Sequence, residues 1–420
     1  MKYVTKTGQK IELATRRLGR GGEGQVLPVV GRPELVAKIF HKPTLEQRAK
    51  LEFMVANPVP QNRNHFWVTW PLDIVFSLDS KPKFVGYIMY RLANAQPLFI
   101  CYNSTIRRQK LPDFNYHHLI RCARNLAAAF SLAHAHGHLI GDPNESNGHV
   151  SADARVTLID ADSWQLVDGV QRRIYRSTVA KSEFLPPELQ NRKRKNIDRQ
   201  TWHDNFALAV LLFKLLGEGC HPCDGVYLGA GDVPPLEERI AAGAFPFLNK
   251  SVHWRPKGLA LPFNSLHPRL QKLFLQAFET GQGFPQARPD ARCWQEAIAT
   301  AERELHGCQR NSRHSFWGNQ CVWCHRKKLL GGRDPFPGAR PKLCKRVTTV
   351  ARTVSCPAPI RYTAPKIMSA PTSPPNANLG ISDFDRFTII ILMVTAIITL
   401  AILGLKLIAK VMMLVAQKLN

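Results

Sequence analysis

The chain has 420 residues, 45% of them hydrophobic and 21% charged, which exceeds one average domain and excludes a mostly disordered polymer. Its 57 Lys+Arg against 31 Asp+Glu leave a net charge of +26, an excess suited to an anionic partner or membrane surface. The ten cysteines are unevenly spaced and several stand near histidines, which favours a reducing compartment and a metal site over a secreted disulfide framework. Met1–Lys10 is polar with no apolar run after it, so no signal peptide is expected. Part of the positive charge is concentrated in Arg326, Lys327, Lys328, Arg333, Arg340, Lys342, Lys345 and Arg346. No aromatic-interleaved basic motif accompanies it, so a solvated basic linker is read there in preference to a nucleic-acid surface.

In chain order, residues 1–92 read as short strands with one helix. "YVTKTGQKIEL" alternates around a Thr-Gly turn, "ELVAKIF" and "FVGYIMYRL" are apolar strands, and "TLEQRAKLEFMVAN" has a helical pattern with Thr44 as its N-cap. Residues 93–305 read as mainly helical, with a long amphipathic helix ending near Gly137 and a helix "DNFALAVLLFKLLGEG" apolar on nearly all sides. A sheet-rich part followed by a helix-rich part predicts an α+β fold of two lobes with a cleft between them. Residues 306–330 form a Cys/His segment, and residues 331–386 a basic, Pro-rich linker. Residues 387–405 hold 19 residues without a charge, enough to span a bilayer, and residues 406–420 form an amphipathic basic tail.

Within this frame, Gly19, Gly21, Gly24 and Val26 fit G-x-G-x-x-G-x-V between two strands, where backbone N–H groups can approach phosphate oxygens closely. Lys38 follows at the end of an apolar strand, placed to meet phosphates and a glutamate from the next helix; Glu52 is the candidate and Glu46 the alternative. Further on, Asp142 and Asn147 stand five apart, and Asp160 closes the apolar strand "VTLID". Phosphoryl transfer needs these types: one Asp to orient an acceptor hydroxyl and take its proton, an Asn and a second Asp to hold Mg²⁺ on the phosphates.

With these motifs the sequence resembles the Hanks-type eukaryotic-like protein kinases over about residues 14–300. "FLPPEL" matches the A-P-E segment at Glu188, Asp204 matches the aspartate that anchors the catalytic loop, and Arg288 matches the arginine that pairs with the A-P-E glutamate. The resemblance implies a bilobal protein-kinase-like fold, ATP and Mg²⁺ as cofactors, and a protein substrate phosphorylated on Ser or Thr. The sequence departs from that pattern in the catalytic loop. Ile140 and Gly141 replace the His-Arg of H-R-D, so this is a non-RD variant. Asn144 stands where a lysine usually meets the γ-phosphate, and Asp160-Ala161-Asp162 replaces D-F-G. The expectation is an active kinase, with a nucleotide-binding pseudokinase scaffold as the alternative. The pattern G-D-x-N-x-x-N with "LIDADSWQ" narrows the likeness to bacterial YegI-type kinases, which carry a C-terminal zinc-binding segment. That group implies a PP2C-type phosphatase and a von Willebrand factor A protein as partners.

Cys308, His314, Cys321 and Cys324 offer a Cys3His set for structural Zn²⁺, with His306 and His325 as alternative ligands. Cys220 and Cys223 form a second C-x-x-C, read as turn residues rather than a metal or redox pair. Cytoplasmic kinase chemistry followed by the 387–405 run predicts a single-pass C-terminal membrane anchor.

Overall fold

The computed structural model describes residues 1–61, 65–192, 197–248, 251 and 253–338. The span read at 387–405, the tail at 406–420 and all but the first eight residues of the 331–386 segment lie outside the described residues. Among the described residues, no helix is long and apolar enough to cross a membrane.

The first ninety residues build one antiparallel sheet. Its strands are β1 (Lys2–Thr5), β2 (Lys10–Glu12), β3 (Gly19–Arg20), β4 (Gly24–Val29), β5 (Arg32–Phe40), β6 (Pro71–Ser77) and β7 (Phe84–Tyr90), in the order β2-β1-β6-β7-β5-β4-β3. β1 and β2 pair around the expected Thr-Gly turn. Central β5 ends in six consecutive buried residues, as a strand covered on both faces must. Between β5 and β6 the chain forms α1 (Leu45–Ala56), which starts where the cap pattern places it: Thr44 Oγ1 accepts from Gln47 N, and the Gln47 side chain accepts from Thr44 N. α1 rests on β6 through its buried Leu51 and Met54.

Two registers position the cleft. Val26 of β4 lies opposite Lys38 of β5, and Lys38 in turn lies opposite Tyr87 of β7. Directly opposed residues share a face, so the Gly-rich hairpin, Lys38 and Tyr87 look toward the same space. Gly24 must lack a side chain here, because a Cβ would sit 2.4 Å from the Ile39 carbonyl oxygen.

From Phe99 to Arg303 the chain is mainly helical. The amphipathic helix Tyr116–Ala135 packs against both Thr201–Leu216 and Ala291–Arg303. Thr201–Leu216 is buried at every position from His203 to Leu216, which accounts for its apolar circumference. This mixed α/β architecture is compatible with the two-lobed kinase-like fold expected from the motifs.

Buried charge pins the helical part together. The Arg288 guanidinium, with no side-chain exposure, grips Glu188 through two bonds of 2.6 and 2.8 Å and stacks 5.2 Å from the Phe206 ring. Removing the carboxylate while leaving the cation buried costs roughly 3–5 kcal/mol. Glu188→Ala is therefore expected to lower unfolding stability by that order without changing the urea m-value; a loss below 1 kcal/mol in urea titrations would show the pair to be dispensable.

Candidate active site

The loop that carries Asp142 is held from below. Asp204, 1% exposed at the start of the Thr201–Leu216 helix, accepts from Ile140 N at 2.7 Å and Gly141 N at 3.1 Å, and lies 3.1 Å from His134 Nε2. Gly141 has φ +70°, and a Cβ there would strike Ser177 at 2.5 Å. The residue in place of the usual arginine is thus a glycine because the backbone turns left-handed against a fully buried serine. Further along the loop, Glu145 meets Lys214 of the same buried helix at 2.5 Å and also accepts from the Tyr102 hydroxyl.

These anchors gather three of the expected residues. Asn147 Nδ2 donates to the Asp142 carbonyl at 3.0 Å and reaches its carboxylate at 3.5 Å. The Asn147 carbonyl accepts from Ile159 N at 2.8 Å, which sets Asn147 beside the residue preceding Asp160. Asp160 itself has φ 58°, ψ 40°, a left-handed conformation uncommon for a residue with a side chain and frequent at functional turns. Burial raises the Asp142 carboxyl above its ordinary value, offset in part by hydrogen bonds from Asn144 and Lys181 N.

Lys38 reaches this group from the sheet. Its ammonium lies 2.8 and 2.9 Å from the two Asp162 oxygens and 3.4 Å from Asp160 Oδ1. Burial alone would push the Lys38 pKa down, but the Asp162 and Asp160 carboxylates outweigh it and hold the pKa above the ordinary value. Asp162, with 5% side-chain exposure, also accepts from the Tyr87 hydroxyl at 2.9 Å.

The expected glutamate partner from α1 is corrected by this arrangement. Glu52 points away, bonded to Lys6 at 3.1 Å and Arg48 at 3.3 Å on the outer surface. The inward position on α1 is taken by a cation, Lys50, 7% exposed, whose ammonium donates to the Trp164 carbonyl at 2.5 Å. Burial lowers the Lys50 pKa to about 8, against the pull of Asp162, Glu23 and Glu46. Glu46 lines the cavity beside Lys50 and Asp162 but has no bond to Lys38 among those described. The partner is therefore Asp162. The charge needed to neutralise Lys38 has moved from the helix to the turn after Asp160, and the helix carries a lysine instead. The signal was present in the second aspartate of D-A-D, which can be mistaken for a lost glycine.

The Gly-rich turn connects β3 and β4, closed by a 2.9 Å bond from Gly21 N to Gly24 O. Gly19, Gly21 and Gly22 face open space, where a Cβ would meet nothing within 4 Å. Of the hydroxyls in the segment after D-A-D, Ser177 is fully buried, while Ser182 is half-buried and bonded to Glu237 at 2.7 Å.

Cys308, His314, Cys321 and Cys324 converge as a second group, their ligand atoms within 4.8 Å of one another. His314 Nδ1 lies 3.6 Å from the sulfurs of both Cys321 and Cys324, and Cys308 Sγ lies 3.6 Å from Cys324 Sγ. Ligands ~2.3 Å from a tetrahedral ion stand about 3.7 Å apart, so the three 3.6 Å separations match the spacing that Zn²⁺ would need. The other ring nitrogen, His314 Nε2, lies 2.9 Å from Asp334, which fixes Nδ1 as the free electron pair. His306 and His325 are not in the group.

The linker boundary read at residue 331 also needs correction. Asp334 and Phe336 are 8% and 1% exposed, and Arg107, itself 1% exposed, donates to the Pro335 carbonyl at 2.9 Å and stacks 4.3 Å from the Phe336 ring. A Pro- and Gly-rich composition hid this packing, which depends on Arg107, 228 residues before Pro335 in the chain. Cys220 and Cys223 behave as turn residues. Burial raises their thiols to about 11 and about 12, and His221 between them is engaged by Cys223 N and the Glu183 carbonyl.

Asp162→Ala strands the Lys38 ammonium with only the longer Asp160 contact, and the variant is expected to lose about 3 kcal/mol of stability. Chemical denaturation checks this; an unchanged midpoint would mean that the pair is not formed.

No family model matches the chain. Two curated proteins do: a protein kinase YegI of Escherichia coli O157:H7, 34% identical over 327 residues, and one of Escherichia coli strain K12, 33% identical over 331 residues. The matches cover 76% and 77% of this chain, which spans about half the length of these relatives, 49% and 50%. These relatives agree with the resemblance read from the motifs: over roughly three-quarters of its length the chain is a homologue of the YegI-type protein kinases.

Proposed function

We propose that the chain is a protein kinase that transfers the γ-phosphate of ATP to a Ser or Thr hydroxyl of a protein. One set of contacts supports the reading: Lys38 bonds to Asp160, and Asn147, which donates to the Asp142 carbonyl, accepts from the backbone N–H of Ile159, the residue before Asp160. Lys38, charged at all physiological pH, would hold the α- and β-phosphates. Asp142 would accept the hydroxyl proton as the acceptor oxygen bonds to the γ-phosphorus and the bond to the β,γ-bridging oxygen breaks, releasing ADP. Asn147 and Asp160 have the oxygen donors that a hard dication takes, and Mg²⁺ bound there would neutralise charge on the phosphate oxygens. A second reading, a nucleotide-binding scaffold without transfer, draws on Asn144, which is uncharged and 3% exposed.

The Cys3His group is read as a structural Zn²⁺ site, closed because all four positions come from protein. The charge-free run at 387–405 is read as a C-terminal anchor holding the kinase part at the cytoplasmic face of a membrane. Association with a PP2C-type phosphatase and a von Willebrand factor A protein rests on the resemblance alone.

Incubated with γ-labelled ATP and Mg²⁺, the wild-type chain is expected to label protein, with Asp142→Ala and Asp160→Ala each lowering the rate by at least a hundredfold. Equal labelling in all three would remove the enzyme reading. For the metal, elemental analysis is expected to find one zinc per chain, lost in Cys321→Ser together with Cys324→Ser. The same variant should melt at a lower temperature, because Trp323 of this segment packs 4.6 Å from Tyr116 of the kinase-like part. Full zinc occupancy in the double variant would reject the ligand set.

A further inference from the structure

In-line transfer leaves negative charge on the γ-phosphoryl oxygens at the moment Asp142, also negative, draws the acceptor toward them. A cation on the Asp142 side of the phosphate is needed to offset this repulsion. Lys38 does not serve there, since its ammonium is occupied by Asp162 and Asp160 on the sheet side of the cleft. Nor does Asn144: its side chain turns inward, donating to the Asp142 carbonyl at 3.2 Å and accepting from Ser146 N at 2.9 Å. It braces the loop and presents nothing to a ligand.

The segment after D-A-D brings a different residue to the place. Lys181 N donates to Asp142 Oδ1 at 3.2 Å, and Lys181 Nζ donates to Ser146 Oγ at 3.1 Å, so the side chain lies along the loop carrying Asp142, Asn144 and Asn147. It is exposed, its ammonium donates to a neutral hydroxyl, and Asp142 and Glu145 feel its charge without an ion pair to it among the described contacts. Arg199 also adds positive potential at Asp142, but at 2% exposure it is buried where Lys181 is exposed. The backbone of Lys181 is steady because its neighbours are tied: Ser182 to Glu237 at 2.7 Å, and the Ser182 carbonyl to Gln190 at 2.9 Å.

We propose that Lys181 is a catalytic residue that contacts the γ-phosphate of ATP, supplying from the segment after D-A-D the cation that the catalytic loop itself lacks. The proposal rests on the kinase reading for its role in turnover, but its contact with the γ-phosphate does not require turnover. In the transfer step Lys181 forms no covalent bond. It swings from Ser146 to the γ-phosphoryl oxygens, while Asp142 takes the acceptor proton and ADP leaves.

The test uses the full chain with Lys181→Ala and Lys181→Arg, each checked for an unchanged melting temperature. Equilibrium titration with Mg-ATP and Mg-ADP is expected to show ATP binding weakened about fivefold in Lys181→Ala and ADP binding unchanged, with Lys181→Arg near wild type. Transfer from labelled ATP should fall on the order of a hundredfold in kcat in Lys181→Ala, with partial recovery in Lys181→Arg. Equal effects on ATP and ADP, no effect on either, or a rise in kcat on removing the lysine would each overturn the proposal. If the wild-type chain transfers nothing but the ATP-selective loss appears, the lysine contact stands and the kinase reading falls. If Asp142→Ala abolishes transfer while Lys181→Ala leaves rate and nucleotide preference intact, the reverse holds.

Discussion

An ammonium group buried beneath a β-sheet must be neutralised where it lies, and the cleft of this protein is arranged around that requirement at Lys38. Its strand is covered on both faces, so the charge cannot escape to water. The two Asp162 oxygens answer it at 2.8 and 2.9 Å, and Tyr87, opposite Lys38 in the sheet, donates to the same carboxylate. Because Asp162 sits two residues after Asp160, satisfying Lys38 also fixes the turn that aims Asp160 into the cleft. Sheet and helical region are thereby joined through a buried ion pair whose geometry also sets the turn that carries Asp160.

The Cys/His segment follows a related logic on the far side of the helical region. It is too small to bury a core of its own, and it borrows one: Trp317 donates to the Ala301 carbonyl at 2.8 Å, Trp323 packs on Tyr116, and Phe336 closes over Arg107. Asp334 then serves two purposes. It orients the His314 ring, and it accepts from Phe336 N at 2.9 Å, so the carboxylate that orders the ligand also orders the chain leaving it.

Much of the candidate site could be read from the residues in order, because local rules decide it. Thr44 announces α1 through its capping box with Gln47, the glycines mark a hairpin, and the Asp142–Asn147–Asp160 spacing survives into three dimensions since one loop and one short strand carry all three. Two features were not legible in that way. The inward face of α1 depends on helix phase, and a slip of two positions separates Glu52, on solvent, from Lys50, in the site. Residues 331–338 have the composition of a linker, yet Asp334 and Phe336 are buried by partners that sequence distance conceals. Both errors arise where tertiary packing, rather than local propensity, makes the choice.

The substitution of Asp162 for a helix-borne glutamate changes what can be controlled. Where a cleft lysine depends on a carboxylate carried by a mobile helix, displacing that helix breaks the pair and disarms the site. Here both carboxylates bonded to Lys38 belong to a single tight turn, and α1 is bonded to that turn through Lys50, which donates to the Trp164 carbonyl. An outward excursion of α1 would release a lysine from a carbonyl while leaving Lys38 coupled. The charges around Lys38 are thus assembled within one turn, while the exposed segment around Lys181 meets Asp142.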